Sequence, residues 1–281
     1  MTQTAHEPID LLFTLDEAYL PRLEVVVASL HATNPGVGFR IHVLHRSIPE
    51  ERLADFAARA ATVGFEVVSQ LVDETLFEDA PTTDRYPEEM YYRLLAGELL
   101  PRDLHRVLYI DPDVLIINPL RDLWDTDLDG KVFAAAAHDS TPGSDAIEDV
   151  NNVRLGTEGS YFNSGVLLMD LDAAREMVDP QEVFDYTRES FLPLLLPDQD
   201  VLNALYSQNI LEVDELRWNY DARTYGVYLM ASGGEADEDW VMQHTSILHF
   251  CGRQKPWKPN YPYRFGVLYK HYEQQAARIF G

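Results

Sequence analysis

Two aspartates one residue apart, Asp111 and Asp113, can present carboxylate oxygens to one hard divalent cation, which can in turn neutralise a phosphate-bearing ligand. The spacing alone carries little weight. The chain holds six such triplets, at 111–113, 125–127, 127–129, 170–172, 198–200 and 237–239. Only the first directly follows a near-continuous apolar run, Val107-Leu108-Tyr109-Ile110, and precedes another, Val114-Leu115-Ile116-Ile117. Carboxylates held between two buried runs are costly unless something offsets their charge, and a cation does so. His249, after Ser246-Ile247-Leu248, reads by itself as a hydrogen-bonded core histidine, and Lys255 as a solvated surface lysine. Cys251 is the single cysteine, so it forms neither an internal disulfide nor a metal cluster, and the sequence places no base beside it.

The elements that must position these residues alternate. Ile9 to Leu15 is a strand, Tyr19 to His31 an amphipathic helix stopped by Asn34-Pro35-Gly36, and Phe39 to Leu44 the next strand. A second helix runs to about Thr62, and Phe65 to Val68 is again a strand. Strands alternating with helices of this length imply βαβ units, a mostly parallel sheet and ligands bound beyond the carboxyl ends of its strands. One helix is expected over Met90–Leu99, and further strands over Arg106–Ile110, Val132–Ala137 and Phe162–Asp170. Residues 140–160 are polar and glycine-containing and read as a loop; beyond Gln208 the pattern weakens into an irregular lobe. No linker divides the chain, which reads as one domain over 1–281.

Composition narrows the classes. With 281 residues and 46% hydrophobic content the chain can bury a substantial core, and no run of about 18 apolar residues offers a spanning helix. Met1 to Pro8 lacks the basic and apolar regions of a signal peptide, and with one cysteine the expectation is a cytoplasmic protein. A net charge of −25 repels nucleic acid and acidic membrane surfaces. It also repels a nucleotide diphosphate unless a cation or a local basic group neutralises that ligand.

The run Val107-Leu108-Tyr109-Ile110-Asp111-Pro112-Asp113-Val114 resembles the D-x-D segment of the retaining glycosyltransferases of family 8. That family includes bacterial lipopolysaccharide galactosyl- and glucosyltransferases and, more distantly, glycogenin. His249-Phe250-Cys251-Gly252-Arg253-Gln254-Lys255-Pro256-Trp257 resembles its H-[FY]-x-G-x-x-K-P-W segment. Phe162 to Met169 resembles its F-N-[SA]-G-V-L-L strand, Pro197 to Asn203 its D-Q-D-x-L-N helix start, and Tyr92-Arg93-Leu94 its Y-x-R-L helix. The resemblance implies an α/β fold of the GT-A type, with a Rossmann-like, mostly parallel sheet flanked by helices and a smaller irregular C-terminal lobe. It implies a nucleotide-binding half at about 9–117 and an acceptor and sugar-binding half at about 118–281. Gly281 ends the sequence without the basic, aromatic tail that some members place on membranes.

The implied activity moves galactose or glucose, with retention, from UDP-galactose or UDP-glucose to a hydroxyl of a glycan or glycolipid. Asp111, Asp113 and His249 would hold Mn²⁺, with Mg²⁺ as the alternative. Gly252 would let the backbone approach the diphosphate and Lys255 would contact it. Arg93 would reach the diphosphate or the sugar, or else pair with Glu89 or Glu98. Thr14 and Asp16 would hold the uracil and ribose; Asp16 equally reads as a helix cap. Pro112 removes a backbone N–H that the ribose or a phosphate would otherwise meet. Asp139, Asn163, Asp198 and Gln199 would surround the transferred sugar, although Asp198 also reads as an N-cap. A glutamine amide is a poor nucleophile, which favours front-face departure and attack over a covalent intermediate. A glycogenin-like self-glucosylating protein and a non-catalytic nucleotide-sugar binding module are the alternatives.

Overall fold

A computed structural model describes residues 7–77, 80, 89–137, 144–189, 194 and 196–281. Seven strands form the main sheet: β1 (Ile9–Thr14), β2 (Phe39–His45), β3 (Phe65–Leu71), β4 (Arg106–Ile110), β6 (Phe133–Ala136), β7 (Val166–Asp170) and β8 (Ile210–Val213). Their order is β3-β2-β1-β4-β7-β6-β8, and only β7 runs against its neighbours. A smaller sheet holds β5 (Val114–Ile116), β10 (Ile247–His249) and β9 (Tyr220–Asp221), with β10 antiparallel to β5 and parallel to β9. The α/β fold with a mostly parallel sheet expected from the alternation is therefore present.

The near-continuous apolar strands follow from burial on both faces. Along β1, Ile9, Leu11 and Phe13 join one core while Leu12 joins the other. Along β4, Leu108 and Ile110 point into the first core and Val107 and Tyr109 into the second. The first face is covered by the helix Leu20–Thr33, on which a C-terminal helix, Gly266–Phe280, packs. The second is covered by Tyr91, Tyr92 and the helices Pro180–Glu189 and Pro197–Tyr206.

Three elements depart from the sequence reading. Residues 144–155 are a helix rather than part of a loop, and its Arg154 is drawn onto buried Asp200. The single helix expected over Met90–Leu99 is two short ones, Glu89–Tyr92 and Ala96–Leu99. Arg93, in the turn between them, pairs with Asp111 and Asp198. The irregular C-terminal lobe nevertheless contains a helix of 15 residues, buried through Tyr269, Ala276 and Phe280.

Candidate active site

Chain direction explains how distant residues meet. Parallel β1 and β4 end on the same side of the sheet, and Asp111 follows β4 directly. Because β7 is antiparallel, Ile110 lies opposite Val166, and the segment that enters β7 is carried to the same edge. The Asp111 amide donates to Gly165 O at 2.8 Å, locking the two segments together. The chain then turns at Pro112-Asp113 into β5, which is paired with β10 so that Val114 lies opposite His249. The Phe250 amide donates to Asp113 O at 2.9 Å.

One ligand atom from each of Asp111, Asp113 and His249 lies within 4.8 Å of the other two. His249 Nε2 is 3.2 Å from Asp113 Oδ1 and 3.8 Å from Asp111 Oδ2. On the other side of the ring, Nδ1 lies 2.8 Å from Asn219 Oδ1, an acceptor that holds the Nδ1 proton and orients Nε2 toward the carboxylates, where it would ligate a cation on giving up its own proton. A mixed nitrogen and oxygen set of this kind suits Mn²⁺. These residues fit a divalent cation on their own geometry. Asn219 is fully buried and carries no motif of its own; the sequence reading missed it, and only the β9–β10 arrangement brings it beneath His249.

The electrostatics of the site follow from burial set against close opposite charges. Burial raises the Asp111 pKa; Arg93 opposes this and the neighbouring Asp113 adds to it. Burial pushes Asp113 the same way, but His249 and Lys255 outweigh it and hold this carboxyl far below its ordinary value. Burial disfavours charge on His249, yet Cys251 and Asp113 beside it draw its pKa well above the usual value. Burial likewise raises the Cys251 thiol, in keeping with an unreactive cysteine.

The other expected residues divide between a cleft of about 500 Å³ and its supports. Asn163, Asp198, Gln199, Gly252 and Lys255 line the cleft with the three candidate ligands. Asn163 Nδ2 donates to Gln199 Oε1 at 3.1 Å, and its Oδ1 accepts from the Gly165 amide at 2.8 Å. Asp198 is in the first turn of its helix but is not the cap, which is Leu196. Its carboxylate accepts from Ser164 Oγ at 2.8 Å and pairs with Arg93 at 2.9 Å. Lys255 Nζ donates to Asp113 and to Phe250 O.

Arg93 does not line the cleft. It sits behind it, 3.0 Å from Asp111 and 4.6 Å above the Tyr109 ring, while Glu98 pairs with Arg102. Burial opposes its charge, but Asp111 and Tyr109 hold it protonated. Thr14 Oγ1 is 3.4 Å from Tyr109 Oη, which donates to Asp111. Asp16 accepts from the Tyr19 amide at 3.0 Å, the capping role, and remains exposed. Pro112 is buried between the two aspartates, and Asp139 lies outside the described residues. Gly252 has φ +78, and the space where a Cβ would stand is filled by Arg223 Nη1, 2.4 Å away. That glycine therefore makes room for a guanidinium.

The comparisons with known proteins agree with this architecture. The sequence profile of glycosyl transferase family 8 matches residues 10–260, and the chain belongs to that family. It is 29% identical over 210 residues to general stress protein A of Bacillus subtilis, covering 72% of this chain and 70% of that one. It is 24% identical to a lipopolysaccharide 1,2-glucosyltransferase of Escherichia coli, covering 89% and 73%. Among solved structures it is similar to the galactosyltransferase LgtC in complex with donor and acceptor sugar analogs, with a TM-score of 0.77, 25% identity and 95% of each chain covered. The fold is thus of the GT-A type.

Proposed function

We propose that the protein is a retaining hexosyltransferase that moves glucose or galactose from a UDP-sugar to a hydroxyl of a glycan or glycolipid, with Mn²⁺ or Mg²⁺ bound by Asp111, Asp113 and His249. The observation that carries this reading is the meeting of those three ligand atoms within 4.8 Å in a cleft also lined by Asn163, Asp198 and Gln199. The bound cation would stabilise charge on the departing diphosphate. Lys255, already at the site, would shift from Asp113 to the ligand. Arg93, Thr14 and Asp16 would support the nucleotide side, with Arg93 acting by holding Asp111 and Asp198 in place. The segment of about 9–117 would serve the nucleotide, and that of about 118–281 the sugar and acceptor.

Front-face departure and attack fits the carboxylates. Gln199 is an amide, and Asp200 is fully buried and bidentate with Arg154 at 2.8 and 2.6 Å. Asp198 is tied to Arg93 and Ser164. No aspartate of this segment is free to attack, which leaves the diphosphate oxygen to accept the proton of the incoming hydroxyl. Detection of a sugar covalently attached to residues 198–200 during turnover would overturn the mechanism.

No helix among the described residues is long and apolar enough to cross a membrane. One cysteine and the acidic balance fit a cytoplasmic enzyme. The test is a panel of UDP-sugars with and without Mn²⁺, read as free UDP and as transferred sugar. We expect metal-dependent release that Asp113→Ala abolishes. Full activity without metal, or retained activity in Asp113→Ala, would sink the assignment.

A further inference from the structure

The cleft does not end at the candidate metal site. Arg223 lines both the cleft and a second depression of about 380 Å³, which it shares with Tyr225, Tyr263 and Arg264. Tyr263 in turn lines a third depression of about 550 Å³, walled by Trp257 and Lys258. Each depression thus adjoins the next across one shared side chain.

The two outer depressions are lined by Arg223, Arg264, Lys258 and Lys270 and, among the described residues, by no acid, whereas the cleft is lined by Asp111, Asp113, Glu148 and Asp198. Residues 251–281 hold six of the 22 Lys and Arg residues but one of the 47 acidic ones, Glu273, so this stretch is net +5 in a chain of net −25. Of the four cations lining the outer depressions, Arg264 pairs with Glu238 and Lys270 with Glu273, while Arg223 and Lys258 keep donors to spare. Arg223 turns Nε and Nη2 to Asp221, at 3.0 and 2.6 Å, while Nη1 has no partner among the described residues. Lys258 is exposed, and its ammonium has no anionic partner among the described residues. In a chain with twice as many acids as bases, the unpaired Lys258 ammonium and Arg223 Nη1 beside Trp257 and Tyr263 suit an anion with a flat apolar face. Sugar rings stack on such aromatics, and guanidinium and ammonium groups bind carboxylate or phosphate.

We propose that these depressions form an extended acceptor groove that takes an anionic oligosaccharide, bearing carboxylate or phosphate groups, leading its terminal hydroxyl past Arg223 into the cleft. The inference deepens the hexosyltransferase reading and rests on it.

The test is calorimetric titration of the whole protein with tri-galacturonate, phosphorylated maltotriose and neutral maltotriose. We expect at least one anionic trisaccharide to bind about tenfold more tightly than maltotriose, and to weaken as NaCl rises from about 50 to about 300 mM. Which of the two binds separates carboxylate from phosphate. Lys258→Glu and Arg264→Gln, singly and together, should weaken that binding about fivefold or more while acceptor-free, metal-dependent UDP release stays within about twofold of wild type. Equal binding of charged and neutral trisaccharides overturns the groove, as does binding untouched by both variants. Binding to anionic phosphatidylglycerol vesicles with no preference among the trisaccharides overturns it in favour of a membrane surface. If the unaltered protein releases no UDP from any UDP-sugar, the failure belongs to the enzymatic reading instead.

Discussion

A Cβ at position 165 would stand 2.4 Å from His249 Cε1 and 2.7 Å from Asp111 Oδ2. His249 is buried and Asp111 is held by Tyr109 and Arg93, so Gly165→Ala must displace one of the three candidate ligands. We expect metal-dependent UDP release to fall by at least about 100-fold, since misplacement of about 1 Å costs that much. A Gly165→Ala protein with unchanged activity would mean that this cradle is not where the reaction occurs. Asn219→Ala removes the acceptor on His249 Nδ1 without touching the cleft, and should weaken Mn²⁺ by about 10- to 100-fold, the usual cost of losing an outer-shell partner. Titrating activity against Mn²⁺ reads it: the midpoint moves while the plateau recovers. The residues around the pair show what was legible at this scale. Of the other five aspartate triplets, Asp170 and Asp237 cap helices and Asp127 bonds the Asp129 amide in a turn. Flanking apolar runs separated Asp111 and Asp113 from these. Asn219 had no such flank, and only the pairing of β9 with β10 reveals it.

Among elements, the helix Ser144–Leu155 is joined to the helix Pro197–Tyr206 by a buried ion pair. Asp200 is fully buried, Arg154 is 12% exposed, and Tyr161 donates to Asp200 Oδ1 at 2.6 Å. Removing one partner strands a buried charge, so Asp200→Ala should cost about 3–5 kcal/mol, while replacing both residues should cost less than replacing Asp200 alone. Urea midpoints at constant slope measure both. A double variant less stable than Asp200→Ala would show that the pair itself, and not the stranded charge, dominates. This link also explains why a helix forms where the sequence predicts a loop. Its sequence is largely polar and it leaves Val150 and Val153 exposed, and it docks through polar contacts, Arg154 on Asp200 and Glu148 accepting from the Tyr161 amide. The helix Gly266–Phe280 did carry a signal, with Tyr269, Tyr272, Ala276 and Phe280 three to four residues apart, masked by charged and aromatic neighbours. The parallel strands were plain because both faces of the sheet are covered. The reversed direction of β7, which creates the site, leaves no trace in its own composition.

For the whole molecule, the excess of 47 acidic over 22 basic residues makes self-repulsion a global term and cation binding a local one. The two separate by experiment. Repulsion spread over the surface is screened by any salt, so raising NaCl should raise Tm. A cation held by Asp111, Asp113 and His249 stabilises by mass action instead, by about 2.7 kcal/mol at a hundredfold excess over its Kd, or roughly 5 °C in a domain of this size. In high NaCl, where screening is exhausted, Mn²⁺ at micromolar to millimolar levels should still raise Tm, and Ca²⁺, larger and poorly suited to a histidine ligand, should raise it less. Asp113→Ala should keep the response to NaCl and lose the response to Mn²⁺, because it deletes one of 47 acids but one of three ligands. If Mn²⁺ and Ca²⁺ act alike, and Asp113→Ala responds to both as the unaltered protein does, then the cations are only screening a negative surface. The triad would then be a cluster of acids that happen to flank a histidine.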